Sequence, residues 1–300
     1  MTPALRLAAL LQQRLPRAKG ASSRLVGRLF GVPGDHMVTR HGAKLVMDRG
    51  CYDVYATMAL NNGAWDYHDF LKCYASVPDG SVFYDIGANV GYFSIEIAAR
   101  TNQAVEIVAF EPQTSLATTI RKSADLNGFR IAVINALVGD HDGTADFYLS
   151  RSSIHASAVS DSGRLAVSVS QCPMITIDAL VSSKSHPAPD FIKMDVEGSE
   201  HFVLDGAART ISQFQPNMFI EYATEYDPGG RIRTRLEEIL AQYPGYVLGG
   251  DPRMDRRNRY EDTWYPINSD EGWGDCHAVY LLNRSRRLRD AAMFKRLWQL

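Results

Sequence analysis

VFYDIGANVGYFS (residues 82–94) is the stretch that decides the fold. An apolar run leads into Asp85, and Gly87, Asn89 and Gly91 then alternate through a short loop before a second apolar run begins. This order is typical of a buried strand, a tight loop and the first turn of a helix. Glycines let the backbone approach a ligand closely, and the free N–H groups of a helix start attract anions. The stretch therefore predicts a ligand-binding loop at the carboxyl end of a strand.

Short apolar runs alternate with amphipathic stretches from residue 81 onward. Runs that are apolar throughout, each followed by a helical pattern, are typical of a parallel sheet covered by helices on both faces. A serine-rich insertion follows IAVINALV (131–138) and is flanked by segments that we interpret as extended. CHAVYLLN (276–283) is interpreted as an antiparallel strand that closes the sheet edge.

The chain divides into three regions. Residues 1–75 are predicted to form an N-terminal elaboration, with a leucine-rich helix, a hairpin around His41-Gly42 and two helices separated by an Asn-Asn-Gly break. Residues 76–283 are predicted to form the main α/β domain, and residues 284–300 a basic C-terminal helix. The arginines of the two ends could give weak contact with an anionic membrane surface.

Composition excludes several classes of protein. With 45% apolar and 22% charged residues the chain is typical of a globular protein, and its net charge of −2 argues against a nucleic-acid binder. The four cysteines form no C-x-x-C pair, which favours reduced thiols. The sequence has no apolar run long enough for a transmembrane helix, so we expect a cytoplasmic enzyme that could also be peripheral to a membrane.

A second carboxylate narrows the choice of ligand. Glu111 ends the next apolar run, VAFEP (108–112), where it could accept both hydroxyls of a ribose. A dinucleotide site also has an acid there, but it requires a middle glycine where this chain has Asn89. Asp85 would repel a pyrophosphate and suits an ammonium group. S-adenosylmethionine fits all of these positions, with its adenine over residues after the third strand: Leu137, Val138 and Asp140.

Four motifs resemble the FkbM family of class I methyltransferases: DIGANVGYFS (85–94), AFEP (109–112), ITIDAL (175–180) and FIKMDVEGSEHFVLDGA (191–207). The resemblance implies a Rossmann-like fold with a mostly parallel seven-stranded sheet and helices on both faces. It implies S-adenosylmethionine as methyl donor. It also implies O-methylation of a hydroxyl on a sugar, a glycan, or a glycosylated or polyketide-like product, so that the partner is a small-molecule or glycan acceptor.

Carboxylates at the ends of the fourth and fifth core strands are the candidate catalytic groups. Asp195 ends the fourth strand, Glu197 follows on a turn, and Glu221 ends the fifth. An aliphatic hydroxyl must lose its proton during methyl transfer, and a side-chain base could accept it. His201 is a further candidate base, whereas Glu200 is expected only to face a helix dipole. Mg²⁺ held by Asp195 and Glu221 is the alternative, and the sequence leaves the need for a metal open.

Secondary candidates and rival functions also remain open. His155 lies in the serine-rich insertion, and Trp65 with Asp66 could contact a sugar. A catalytically inactive methyltransferase-fold binding protein would show an eroded donor loop or acid cluster, and neither is eroded here. An NAD-dependent oxidoreductase is the other alternative.

Overall fold

The computed structural model describes residues 35–48, 51, 54–55, 57–58, 63–149, 168–222, 224, 227–252, 265–267, 273 and 276–294. The predicted leucine-rich helix of the first residues and His155 lie outside the described residues.

The main sheet has eight strands. In chain order they are β3 (Val82–Ile86), β4 (Glu106–Phe110), β5 (Ile131–Ile134), β9 (Phe191–Met194), β10 (Asn217–Glu221), β11 (Tyr246–Pro252), β12 (Tyr265–Pro266) and β13 (Cys276–Asn283). Across the sheet the order is β12-β11-β13-β10-β9-β3-β4-β5. The five strands from β10 to β5 are parallel, and β13 is antiparallel to both β10 and β11. This is the predicted fold with one correction, because the two-residue β12 adds an eighth strand to the predicted seven.

Apolar side chains on both faces explain why the central strands are buried. Neighbouring residues of one strand alternate between two core clusters, so that Phe83 belongs to one and Tyr84 to the other. Phe83 stacks on Phe191 at 5.7 Å between ring centroids on one face, and Tyr84 lies 5.2 Å from Phe110 on the other. Each face is covered by helices, which is the arrangement that continuous apolar strands predict.

The helices of eight or more residues are α1 (Tyr67–Ser76), α2 (Tyr92–Arg100), α3 (Thr114–Asn127) and α7 (Arg231–Gln242). Three shorter helices are α4 (Ile177–Ser182), α5 (Glu200–Gly206) and α6 (Ala208–Phe214). Each of α2, α3 and α5 follows a parallel strand, so their first turns lie at the carboxyl ends of the sheet. This edge carries the predicted ligand loop.

A small second sheet interrupts the alternation of strands and helices. The strands β6 (Leu137–Val138), β7 (Gly143–Leu149) and β8 (Ser168–Ile175) lie in the order β6-β8-β7. This confirms the extended segments predicted around the serine-rich insertion. The apolar run 131–138 is divided into β5 and β6, and between them Asn135 donates its amide hydrogens to the backbone oxygens of Glu111 and Pro112.

The N-terminal hairpin is also confirmed. Strands β1 (His36–Val38) and β2 (Lys44–Val46) pair antiparallel. Their connecting turn contacts helix α2, where the buried Glu96 accepts hydrogen bonds from Thr39 and His41. Residues 54–55 and 57–58 are helical and precede α1, in agreement with the two helices predicted there.

The predicted basic C-terminal helix needs correction. Residues 284–290 are not helical, and a 3-10 helix follows at Ala291–Phe294, while 295–300 lie outside the described residues. The physical reason is that two arginines extend inward to acceptors on the domain. Arg286 pairs with Asp190 at 2.5 Å and donates a hydrogen bond to the backbone oxygen of Gln215. Arg289 donates to the backbone oxygen of Val77 at 2.8 Å. These two charges are engaged within the domain. Across the described ranges, no helix combines the length and the apolar character needed to cross a membrane.

Candidate active site

A cavity opens at the carboxyl ends of β3, β4, β9 and β10. The loop after β3 and Glu111 form one wall, and Asp195, Glu197 and Glu221 form another. Trp65 and Asp66 also line the cavity at the start of α1, and Leu137 and Val138 line it beside the small sheet. The structure thus brings together most of the predicted donor and acceptor residues in one place.

The loop after β3 depends on backbone conformations that favour glycine. Gly87 and Gly91 have φ of 75° and 83°, and Asn89 has φ of 52°. At Gly87 a Cβ would lie 1.9 Å from the backbone oxygen of Asp195, so the backbones of this loop and of the segment after β9 can touch only because the side chain is absent. Gly91 ends the loop as the N-cap of α2. The loop therefore lies directly against the acid cluster.

Glu111 is held in place from both sides of its carboxylate. Oε2 accepts the Asn89 backbone N–H and Oε1 accepts the Gln113 backbone N–H, both at 2.9 Å. Burial raises the pKa of Glu111 to about 7, and the two backbone N–H groups oppose that shift. Each carboxylate oxygen keeps a lone pair that can accept a further hydrogen bond, which is what a pair of ribose hydroxyls requires.

We expect Glu111→Ala to weaken binding of the donor product S-adenosylhomocysteine by ~1–3 kcal/mol, the cost of charged hydrogen bonds left unmade. Titration calorimetry of the folded variant measures it. Glu106→Ala, an exposed residue at the other end of β4, is the matched control and should bind as the wild type does. An affinity in Glu111→Ala equal to the control's would contradict the assignment.

Asp85 is placed differently from the prediction. Its side chain is fully buried behind the loop and is not part of the cavity wall. Oδ2 accepts the Ser94 hydroxyl at 2.6 Å, and Oδ1 lies 3.3 Å from Lys193 Nζ. The partner of Asp85 in this structure is thus the lysine, in place of the donor ammonium that the sequence predicted. Asn89 Oδ1 is a buried acceptor without a hydrogen-bond partner among the described residues, and Asn89 does line the cavity.

The acid cluster consists of Asp195, Glu197 and Glu221. One carboxylate oxygen from each lies within 4.8 Å of the other two. The pKa of Glu221 is raised well above its ordinary value. Burial is the largest cause, and the negative charges of Asp195 and Glu197 add to it. Oε2 of Glu221 is buried with no hydrogen-bond partner among the described residues. Burial and the neighbouring carboxylates thus favour the protonated form of Glu221, while Asp195 lies 3.4 Å from the charged Lys193.

The structure does not bring His201 to this cluster. His201 is buried in α5 but does not line the cavity, and burial together with the positive charge of Arg231 lowers its pKa. The neighbouring Glu200 is buried below the cluster, and its Oε1 accepts the Val196 backbone N–H at 3.1 Å. Consecutive residues of a helix point in directions about 100° apart, which explains why the two side chains have different surroundings.

Burial raises the pKa of Glu200 from an ordinary value of 4.5 to about 8. Folding must therefore take up a proton here within that window, so this carboxyl lowers stability progressively as the pH rises from 4.5 towards 8. We expect Glu200→Gln to unfold with a free energy higher than the wild type's by on the order of 1–3 kcal/mol at about pH 8, and to lose this advantage at about pH 4.5. Thermal melts across that range measure it, with Glu106→Gln as control. A pH-independent difference would contradict the shifted pKa.

Only some of the residues predicted near the adenine lie at the cavity. Leu137 and Val138 line the cavity, whereas the exposed Asp140 does not and accepts a hydrogen bond from its neighbour His141 at 2.7 Å. Lys193 was not among the predicted site residues. Its signal in the sequence is a lysine within the apolar strand FIKM (191–194), since lysine is almost never fully buried unless it is paired.

Comparison with known proteins decides the family. The sequence profile of the methyltransferase FkbM domain matches residues 85–246, which is more than half of the chain. The chain belongs to the FkbM methyltransferase family. This match agrees with the resemblance seen in the sequence and favours a methyltransferase over the oxidoreductase alternative. No curated protein matches the chain.

Solved structures with a similar arrangement include an FkbM methyltransferase from Methylobacillus flagellatus KT, with 19% identity and a TM-score of 0.45. The match covers 93% of this chain and 58% of that one, so this chain spans less than two thirds of that protein. The O-methyltransferase from Bacillus cereus, solved in complex with SAH, has 11% identity and a TM-score of 0.42, with 88% of this chain and 97% of that chain covered.

Proposed function

We propose that this FkbM-family methyltransferase transfers a methyl group from S-adenosylmethionine to a hydroxyl oxygen of a sugar-type acceptor. The single observation that carries the proposal is the cavity in which two walls meet. One wall has the groups a donor nucleoside requires, and the other has carboxylates that could accept a proton. The backbones of the two walls touch at Gly87 and Asp195, so donor and acceptor would be adjacent.

The donor wall matches S-adenosylmethionine group by group. Glu111 offers one free lone pair on each oxygen to the two ribose hydroxyls. The N-terminus of α2 favours the carboxylate of the methionine part. Asn89 Oδ1 is an acceptor for the ammonium group. Leu137 and Val138 provide an apolar surface for the adenine.

The acceptor wall favours an oxygen nucleophile. Methyl transfer forms a carbon–oxygen bond and breaks the carbon–sulfur bond, so that the sulfonium becomes a thioether and the hydroxyl proton must leave. Asp195 is the base that we assign, because it lies at the cavity beside the charged Lys193, whereas burial and the neighbouring carboxylates raise the pKa of Glu221 and favour its protonated form. An amine acceptor would need no such cluster, and a carboxylate acceptor would be repelled by it.

A sugar-type acceptor also fits the residues around the acids. Trp65 and Asp66 line the cavity together with Asp195. An aromatic ring can pack against the apolar face of a sugar while carboxylates accept hydrogen bonds from its hydroxyls. A small molecule or a glycan end with neighbouring hydroxyl groups is therefore the partner that we propose.

The acid cluster is also compatible with Mg²⁺. Asp195, Glu197 and Glu221 offer three oxygen ligands within 4.8 Å of one another, and the unpartnered Oε2 of Glu221 suits a ligand atom. These three residues would hold the ion, which would lower the pKa of the acceptor hydroxyl. Lys193 already lies 3.4 Å from Asp195 and would compete electrostatically with it.

The test incubates the protein and a methyl-labelled donor with fractionated glycans and metabolites, with and without a chelator, and locates the label by mass spectrometry. We expect label on a hydroxyl oxygen. Label on nitrogen or on a carboxylate would contradict the proposal. If a chelator abolishes transfer and added Mg²⁺ restores it, the metal is assigned to the acid cluster. Transfer that is unchanged in the chelator would leave a side-chain base in place of the metal, and Asp195→Asn then tests whether Asp195 is that base.

A further inference from the structure

Lys193 connects the two walls of the cavity. It is 3% exposed and projects from β9, between the donor loop and the acid cluster. Its Nζ donates to the backbone oxygen of Gly87 at 2.9 Å and lies 3.3 Å from Asp85 Oδ1 and 3.4 Å from Asp195 Oδ2. The ammonium also lies 5.2 Å from the centre of the Phe93 ring on α2.

These contacts fit the geometry of an ammonium group. Nζ has three hydrogens; it donates one to the Gly87 oxygen, and the carboxylate oxygens of Asp85 and Asp195, near the ends of β3 and β9, lie at 3.3 and 3.4 Å as ion pairs. A buried lysine is tolerated only when its charge is compensated, and two buried or half-buried carboxylates compensate it here. A single carboxylate would neutralise the charge. The second carboxylate and the loop carbonyl add a fixed geometry, since together they specify where the donor loop lies relative to Asp195.

We propose that Lys193 is a positioning residue for methyl transfer, which holds the donor loop and the Asp195 carboxylate at a fixed separation. The inference rests on the proposed function, because it assigns Asp195 as the base and the loop as the donor site. In this arrangement Asp85 acts through Lys193 on the loop and does not touch the donor. The donor ammonium is then left to Asn89 Oδ1, an acceptor on the cavity wall that has no hydrogen-bond partner among the described residues.

The experiment compares Lys193→Met with the double variant Lys193→Met/Asp85→Asn. Lys193→Met leaves two carboxylates near one another without their cation, so its melting temperature should fall below that of the wild type. Removing the charge of Asp85 should restore much of that loss. If Lys193 only stabilised the fold, the double variant would regain kcat as well as melting temperature. We expect instead that kcat of the folded double variant stays about tenfold or more below that of Asp85→Asn, with acceptor KM little changed, because the loop and Asp195 are no longer held together.

The outcomes separate the alternatives. A kcat of the double variant within twofold of Asp85→Asn would overturn the proposal, since Lys193 would then only neutralise Asp85. Lys122→Met, an exposed lysine on α3, is the matched control and should keep wild-type kcat and melting temperature. If the wild type transfers no methyl group, the proposed function fails, and calorimetry still tests Lys193. The double variant should bind S-adenosylhomocysteine several-fold more weakly than Asp85→Asn, and equal affinities would overturn the inference.

Discussion

Asp195→Asn is expected to lower kcat by about 10²–10⁴-fold, the range for removing a general base. Asparagine keeps the shape of the side chain and an oxygen that Lys193 can approach, but the amide cannot accept a proton from the acceptor hydroxyl. We expect that the neighbouring Glu221 does not replace it, because burial and the nearby carboxylates raise the pKa of Glu221 and favour its protonated form. Binding of S-adenosylhomocysteine should stay within a few-fold of wild type, since the donor wall is formed by other residues.

The measurement is a steady-state assay with labelled donor, together with calorimetry of donor-product binding on the same preparation. Asp205→Asn is the control. Asp205 lies near the C-terminal end of α5 and pairs with Arg235 at 2.6 Å, so this substitution should leave kcat unchanged. Full activity in Asp195→Asn would remove this residue from proton transfer. Loss of donor-product binding together with kcat would indicate a collapsed site instead of a missing base.

Gly87→Ala is expected to have the largest effect on stability and donor binding. A Cβ at this position would lie 1.9 Å from the Asp195 backbone oxygen, which is far inside contact distance, so the loop or the segment after β9 must move. The left-handed conformation adds ~1–2 kcal/mol for a residue with a Cβ, and overpacking adds a further ~1–3 kcal/mol. The variant should melt well below the wild type and bind S-adenosylhomocysteine weakly.

Gly80→Ala separates the two contributions. Gly80 has φ of 85°, but a Cβ there would meet no atom within 4 Å. Gly80→Ala therefore has the cost of the left-handed conformation without the clash. It should lower the melting temperature by much less than Gly87→Ala does and leave the affinity for S-adenosylhomocysteine unchanged. Equal destabilisation by the two alanines would show that the contact between Gly87 and Asp195 is not as close as the structure places it.

Much of the fold could be predicted from local patterns. Runs such as VFYDI (82–86) and FIKM (191–194) lie in the sheet centre because nearly every residue in them faces a packed layer. The glycines after Asp85 predict a loop, and Glu111 lines the same cavity because the carboxyl ends of parallel strands share one edge. These features follow from residue type and order along the chain.

The remaining features depend on contacts between distant segments. Lys193 is 108 positions from Asp85, so their pairing appears only when β9 and β3 lie side by side. Asp140 and His201 do not line the cavity: the exposed Asp140 pairs with His141 after β6, and His201 is buried in α5. The C-terminal arginines were expected on a free helix, and specific carbonyl acceptors on the domain hold Arg286 and Arg289 elsewhere.

The most direct test of the central claim is a calorimetric titration of the wild-type protein with S-adenosylhomocysteine and, separately, with NAD. The claim is that the cavity between Glu111 and the acid cluster is a site for a methyl donor. We predict saturable binding of S-adenosylhomocysteine with one site per chain, weakened by ~1–3 kcal/mol in Glu111→Ala, and no heat with NAD. Tight binding of NAD with no response to S-adenosylhomocysteine would contradict the account.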